Sequence, residues 1–193
     1  RQRQMCIRDR GLLQSDALLF INSIANVSLT VEDVEEYAQR YPELLKRLVV
    51  EITEEEEMNE RELERKRNVP GSSGVFALDD YGSGYSNGNS LLTIAPKYVK
   101  VDIAIIRGID TDADKQQFLM TLIDYAHPRG VQVLAEGVET LSELRKVLEM
   151  GVDLLQGYCL APPAAEPGAI DEKAAEVIAE VERQKAEREE AGS

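Results

Sequence analysis

The stretch ALDDYGSGYS (77–86) sets two carboxylates, Asp79 and Asp80, side by side where a short apolar run meets a glycine-rich turn. Adjacent like charges repel unless cations lie between them. Carboxylates are hard oxygen ligands, suited to Mg²⁺ or Mn²⁺. In a two-metal site, Asp79 bridges ions about 3.5–4 Å apart while Asp80 holds the second, an arrangement that clamps the attacking and leaving oxygens of a phosphodiester. The same kind of residue recurs along the chain. LLFIN ends in Asn22, LVVEIT carries Glu51 with Glu54 just beyond, YVKVD holds Lys100 and Asp102, VQVLAE ends in Glu136 with Glu139 following, and DLLQGYCL contains Gln156. Each feature alone has an ordinary explanation. An Asp-Asp before glycine is usually turn chemistry, EEEE (54–57) is a solvated face beyond its first residue, and a lone lysine is usually solvated. Taken together, six strand ends are polar, which a packed core does not require.

The elements that must position these residues are legible as alternation. Strands are expected over 18–22, 48–53, 75–80, 98–102, 131–136 and 153–160, mostly as continuous apolar runs of the kind buried on both faces of a parallel arrangement. Between them lie helical patterns. TVEDVEEYAQRYPELLKR opens at Thr30, an N-cap residue, with Asp33 near capping-box spacing. DADKQQFLMTLIDYAHPRG carries an apolar stripe of Phe118, Leu119, Leu122, Ile123 and Ala126, ended by Pro128 and Gly130. TLSELRKVLEMG opens with the capping pair Thr140 and Glu143, buries Leu141, Leu144 and Leu148, and stops at Gly151. The segment from Asp171, with Ala174, Val177 and Val181, reads as an amphipathic helix that frays into a charged tail. This alternation defines an α/β fold. Polar residues at the carboxyl ends of the strands are where a (β/α) barrel builds its site.

Composition narrows the function classes. The chain has 193 residues and a formal net charge of -14, concentrated in EITEEEEMNERELE and in the tail. Such a surface does not grip DNA or RNA through phosphates. An anionic substrate requires a local reversal of field, which bound divalent ions supply. Cys6 and Cys159 are far apart and in no metal-binding spacing, which fits a reducing compartment, with Cys159 in the core. No apolar run approaches the ~20 residues of a membrane span. The single histidine, His127, is expected to cap a helix C-terminus rather than act as a base.

FINS, EITE, DDYGSGYS, VKVD, AEGVET and QGY, in this order over residues 18 to 163, resemble the successive motifs of the EAL-domain family, bacterial cyclic di-GMP phosphodiesterases. The resemblance implies a modified TIM barrel that hydrolyses cyclic di-GMP to linear pGpG with two Mg²⁺ or Mn²⁺ ions. It implies that Asn22, Glu51 and Asp79 hold the first ion, and Asp79, Asp80 and Glu136 the second. Glu136 or metal-activated water would then be the base, and Lys100 would orient the water or the phosphate. Glu54 would brace the loop after Asp80, which the family uses in dimer contacts, and Asp102, Glu139 and Gln156 would support the site. One departure stands out: the Glu-Ala-Leu triplet that names the family, whose Glu is a further metal ligand, does not occur upstream of Asn22. The expectation is therefore an incomplete barrel of about six of eight strands with a C-terminal helix. Residues 1–11 are read as non-native or disordered, 12–168 as a partial EAL domain and 169–193 as helix and tail. The partner would be cyclic di-GMP, with a homodimer through the loop after Asp80 and an upstream sensory or GGDEF-type domain. The setting would be the cytoplasm, in a parent open to membrane anchoring. The same features leave room for a non-catalytic cyclic di-GMP sensor and for an unrelated (β/α)-barrel metal hydrolase.

Overall fold

The computed structural model describes residues 17–22, 36, 39–53, 60–68, 72–84, 89–164 and 168–191. The helix start read at Thr30 and Asp33, the EEEE run with Glu54, and Cys6 lie outside the described residues. The chain divides into two compact units, one formed by residues up to Tyr81 with Tyr85–Tyr98, the other by Gly82–Gly84 with Val99–Ser193.

The first unit contains β1 (Leu19–Asn22), α1 (Pro42–Leu45), β2 (Leu48–Thr53), α2 (Glu60–Arg67), β3 (Val75–Tyr81) and α3 (Asn89–Ile94). β1 pairs with β2 and β2 with β3, both parallel. Parallel neighbours need a crossover between them, which the intervening helices supply. Val49, Ile52, Phe76 and Leu78 are at most 2% exposed. Full burial on both sheet faces is why these runs read as continuous apolar rather than alternating. α2 was not expected from the charged sequence ERELERKR; it is held by one buried residue, Leu63, and by Arg67. The Arg67 guanidinium lies 4.9 Å from the Phe76 ring centroid and donates to the Ile94 carbonyl at 2.9 Å.

The second unit continues the pattern with β4 (Tyr98–Val101, its first residue belonging to the first unit), α4 (Ile103–Ile106), α5 (Ala113–Ala126), β5 (Gln132–Ala135), α6 (Leu141–Met150), β6 (Leu154–Leu155) and α7 (Glu172–Ala191). β5 and β6 pair in parallel. Asp112 caps α5 by accepting from the Asp114 and Lys115 amides. Of the stripe predicted for α5, Leu119, Leu122, Ile123 and Ala126 are buried, while Phe118 is only half-buried. His127 is the C-cap, and its Nε2 lies 3.1 Å from an Asp153 carboxylate oxygen. α6 carries the complete capping box of Thr140 and Glu143, and Gly151 ends it in the left-handed region. Leu141 proves exposed at 37%; Leu144, Val147 and Leu148 make the buried stripe instead.

The strand expected over 153–160 is corrected: β6 is two residues long, and the chain turns at 157–160. The cause is a close approach. A β-carbon on Gly157 would overlap the Val138 backbone, and the Val138 carbonyl accepts from the Cys159 amide at 3.0 Å. The chain bends around the loop after β5 rather than extending, so Cys159 is partly exposed and sits in a turn, not in a core strand. α7 begins at the predicted point. The Asp171 carboxylate accepts from the Lys173 and Ala174 amides, Ala174, Val177 and Val181 are buried, and Arg145 of α6 donates to Glu180 at 2.7 Å. Strand-helix repetition with parallel pairing is the unit of a (β/α) barrel, and the described residues hold six strands of the eight that a closed barrel contains.

Glu143 is 2% exposed. Burial works against its ionised form, but amide donors from Gly108, Glu139 and Thr140 and the Thr140 hydroxyl together outweigh burial and hold its pKa below the ordinary value of 4.5. A carboxylate of depressed pKa stabilises the fold above its unfolded-state value, and that stabilisation is lost as pH falls through the folded value. Acidification from neutral pH into the range below about 4.5 is expected to destabilise the wild type more than Glu143→Gln. Urea midpoints across that range measure this, and parallel curves would contradict it.

Candidate functional site

In the first unit, three successive strands deliver oxygen donors to their carboxyl ends. Asn22 closes β1 and stands in register with Glu51 of β2. Glu51 in turn pairs with Ala77 of β3, and Asp79 lies two residues further along, opposite Thr53. Residues in register share a sheet face, and i and i+2 share it along a strand. Asn22, Glu51 and Asp79 therefore sit on one face. Asn22 is exposed, whereas Glu51 and Asp79 are only 7% and 8% exposed. Carboxylates are seldom this buried, and here two of them share one face of the sheet near the strand ends.

Asp80 differs from Asp79 in exposure and backbone. It is exposed, its φ is 55°, and its amide donates to the Asp79 carboxylate at 3.1 Å. Aspartate tolerates the left-handed region better than most side chains. The left-handed turn brings the two carboxylates to within 4.8 Å of one another. An amide oxygen and three carboxylates make an all-oxygen donor set, which fits a hard divalent ion such as Mg²⁺ or Mn²⁺ and does not fit a soft one.

In the second unit, Lys100 is buried within β4, and its Nζ lies 2.8 Å from Glu136 Oε1, with side-chain exposures of 7% and 15%. The Glu136 amide donates to the Val101 carbonyl at 3.1 Å, so the residue leaves β5 alongside the end of β4. Gln156, exposed, follows β6; its amide donates to the Ala135 carbonyl and its carbonyl accepts from the Val138 amide, at 2.9 and 3.1 Å. Gly137 takes φ 65°, and a β-carbon there would overlap Ile103. The glycine lets the loop after Glu136 close onto α4. These contacts give AEGV and QGY a physical reading: each glycine permits a backbone approach that an alanine would block.

Two sequence-predicted site residues have other partners. The Asp102 carboxylate caps α4 through the Ala104 amide at 2.7 Å. Glu139 forms an ion pair with Arg107. Glu54 lies outside the described residues. The contacts of Arg107 with Glu139 and of Glu143 with Gly108 join residues far apart in sequence. Glu143 was visible only as a helix cap, and Arg107 carries no local signal.

Parallel strands alternating with helices, with oxygen donors near the strand ends, define a protein of the (β/α)-barrel class. The EAL domain matches residues 7–163, most of the chain. The chain belongs to the EAL domain family. A crystal structure of a standalone versatile EAL protein from Vibrio cholerae O395, in its c-di-GMP bound form, is 30% identical with a TM-score of 0.74, over 89% of this chain and 77% of that one. The calcium/cy-diGMP complex of Klebsiella pneumoniae BlrP1 is 26% identical with a TM-score of 0.73, over 86% of this chain and 43% of that one. The "probable cyclic di-GMP phosphodiesterase PdeG" of Escherichia coli (strain K12) is 32% identical over 118 residues, 60% of this chain and 23% of its own. The chain spans about a quarter of the length of the first curated relatives it matches. Among the described residues, no helix is long and apolar enough to cross a membrane.

Members of a buried ion pair are energetically coupled: removing either typically costs about 3 kcal/mol or more, and the second removal costs less than it would alone. Lys100→Met and Glu136→Leu are each expected to lower unfolding free energy by about that amount, with the double variant closer to wild type than their sum. A denaturant double-mutant cycle measures the coupling, and strict additivity would refute the pair.

Proposed function

We propose that this chain carries the greater part of a cyclic di-GMP phosphodiesterase domain that hydrolyses one phosphodiester of the ring to give linear pGpG. The observation that supports it best is the placement of Asn22, Glu51 and Asp79 as oxygen donors at the carboxyl ends of three neighbouring parallel strands, in a member of a family whose solved relatives bind cyclic di-GMP. By the family resemblance, Asn22, Glu51 and Asp79 would hold one ion, and Asp79, Asp80 and Glu136 a second. Two Mg²⁺ or Mn²⁺ ions, when bound, neutralise the phosphodiester and raise the acidity of the attacking water. Glu136, or the activated water itself, would supply the general base: the water loses its proton as its oxygen bonds to phosphorus, the bond to the ribose oxygen breaks, and that oxygen takes up a proton from solvent water to leave as a hydroxyl. Lys100, 2.8 Å from Glu136, orients the water and meets the charge that develops on the phosphoryl oxygens. Glu54 braces the loop after Asp80, and Asp102, Glu139 and Gln156 shape the surrounding loops. The loop after Asp80 is the proposed dimer contact, a sensory or GGDEF-type domain the proposed upstream neighbour, and the cytoplasm the proposed setting.

A second reading is that the domain binds cyclic di-GMP as a sensor without cleaving it. The 193-residue polypeptide by itself, which carries no Glu-Ala-Leu triplet, is proposed to turn over little or nothing.

The full-length gene product is expected to release pGpG from cyclic di-GMP with Mg²⁺ or Mn²⁺ and to stop in EDTA. Asp79→Asn, which replaces a carboxylate that would bind metal with a neutral amide, is expected to lower kcat by about 10²-fold or more. Chromatography of the nucleotide products measures both. Binding without turnover would select the sensor reading, and an Asp79→Asn enzyme of wild-type rate would refute the metal assignment.

A further inference from the structure

The loop after β4 and the loop after β5 flank the Lys100–Glu136 pair, and one buried side chain reaches both. Glu143, in the first turn of α6, accepts from the Gly108 amide through Oε1 at 2.8 Å, and from the Glu139 and Thr140 amides through Oε2 at 3.0 Å each. A capping box explains only the Thr140 contact. Gly108 is 35 residues away in sequence and belongs to the turn that follows α4. The side chain is 2% exposed, so little competing water weakens these bonds.

The neighbouring contacts agree. Arg107, next to Gly108, pairs with Glu139, whose amide Glu143 holds. Ile103 of α4 packs where a β-carbon of Gly137 would stand. The Lys115 ammonium donates to the Ala104 and Arg107 carbonyls at 2.7 and 2.6 Å, closing the end of α4. The Arg107–Glu139 pair is about half exposed and contributes little by itself. The buried carboxylate is the strongest of these ties.

We infer that Glu143 is a positioning residue that binds the turn after β4 to the loop after β5 and so fixes the aim of Glu136 against Lys100. The inference rests on the phosphodiesterase reading for its catalytic consequence, not for the tie itself. Groups that orient reacting residues from behind typically change activity 10–100-fold when altered.

Glu143→Gln separates the tie from the cap. Its amide has one acceptor oxygen and one NH₂ in place of two acceptors. With the oxygen on the Glu139 and Thr140 amides, the capping box survives and the NH₂ opposes the Gly108 N–H. In the full-length protein, this variant is expected to fold, to raise hydrogen exchange of the Gly108 amide at least tenfold with Thr140 still protected, and to lower kcat about tenfold with KM within twofold. Glu143→Ala is expected to release Gly108 and Glu139 alike. Unchanged Gly108 exchange in both variants, or a kcat within twofold of an active wild type, would overturn the inference. A wild type that neither binds nor cleaves cyclic di-GMP would instead refute the functional reading, and the exchange data would still decide whether Glu143 ties the two loops.

Discussion

Parallel pairing sends the carboxyl ends of neighbouring strands to the same edge, and this constraint governs everything else in the chain. In the first unit it puts Asn22 beside Glu51 and both just short of Asp79. Three residues far apart in sequence become one donor set through backbone register alone. The helices return the chain to the start of the next strand, while the apolar faces of Val49, Ile52, Phe76 and Leu78 lock the register by burial. A slip of one residue would turn each donor to the opposite face.

Burying charge is costly, and the fold repays it in pairs and networks. Lys100 and Glu136 compensate each other at 2.8 Å, and Glu143 is compensated by amides from two loops. Glycines make the geometry possible where they stand. Gly137 lets the loop after β5 turn against Ile103, and Gly157 lets the chain after β6 lie on Val138.

Much of this is legible in the sequence for a local reason. The β2 and β3 runs are wholly apolar until a carboxylate appears, and the structure places strands there to within a residue. Thr140, Glu143 and Gly151 mark both ends of α6 as read, and Asp171 marks the start of α7. What was not legible is tertiary. DLLQGYCL has strand composition, yet Gly157 meets Val138 and the strand stops after two residues. Leu141 fits an apolar stripe, yet it lies in the first turn of α6 outside the packed face. ERELERKR has no apolar face, and its helix forms around the single buried Leu63. The third partner of Glu143 is set by chain crossing, which no spacing rule encodes.

The central claim is that oxygen donors at the strand ends hold divalent ions. Anomalous diffraction at the manganese edge, from crystals of the full-length protein grown with Mn²⁺ and cyclic di-GMP, tests it most directly. The account expects manganese peaks within coordination distance, about 2.0–2.3 Å, of oxygens from Asn22, Glu51 and Asp79. Peaks confined to the acidic run at 54–57 or to the charged tail, with nothing at Asp79, would contradict it.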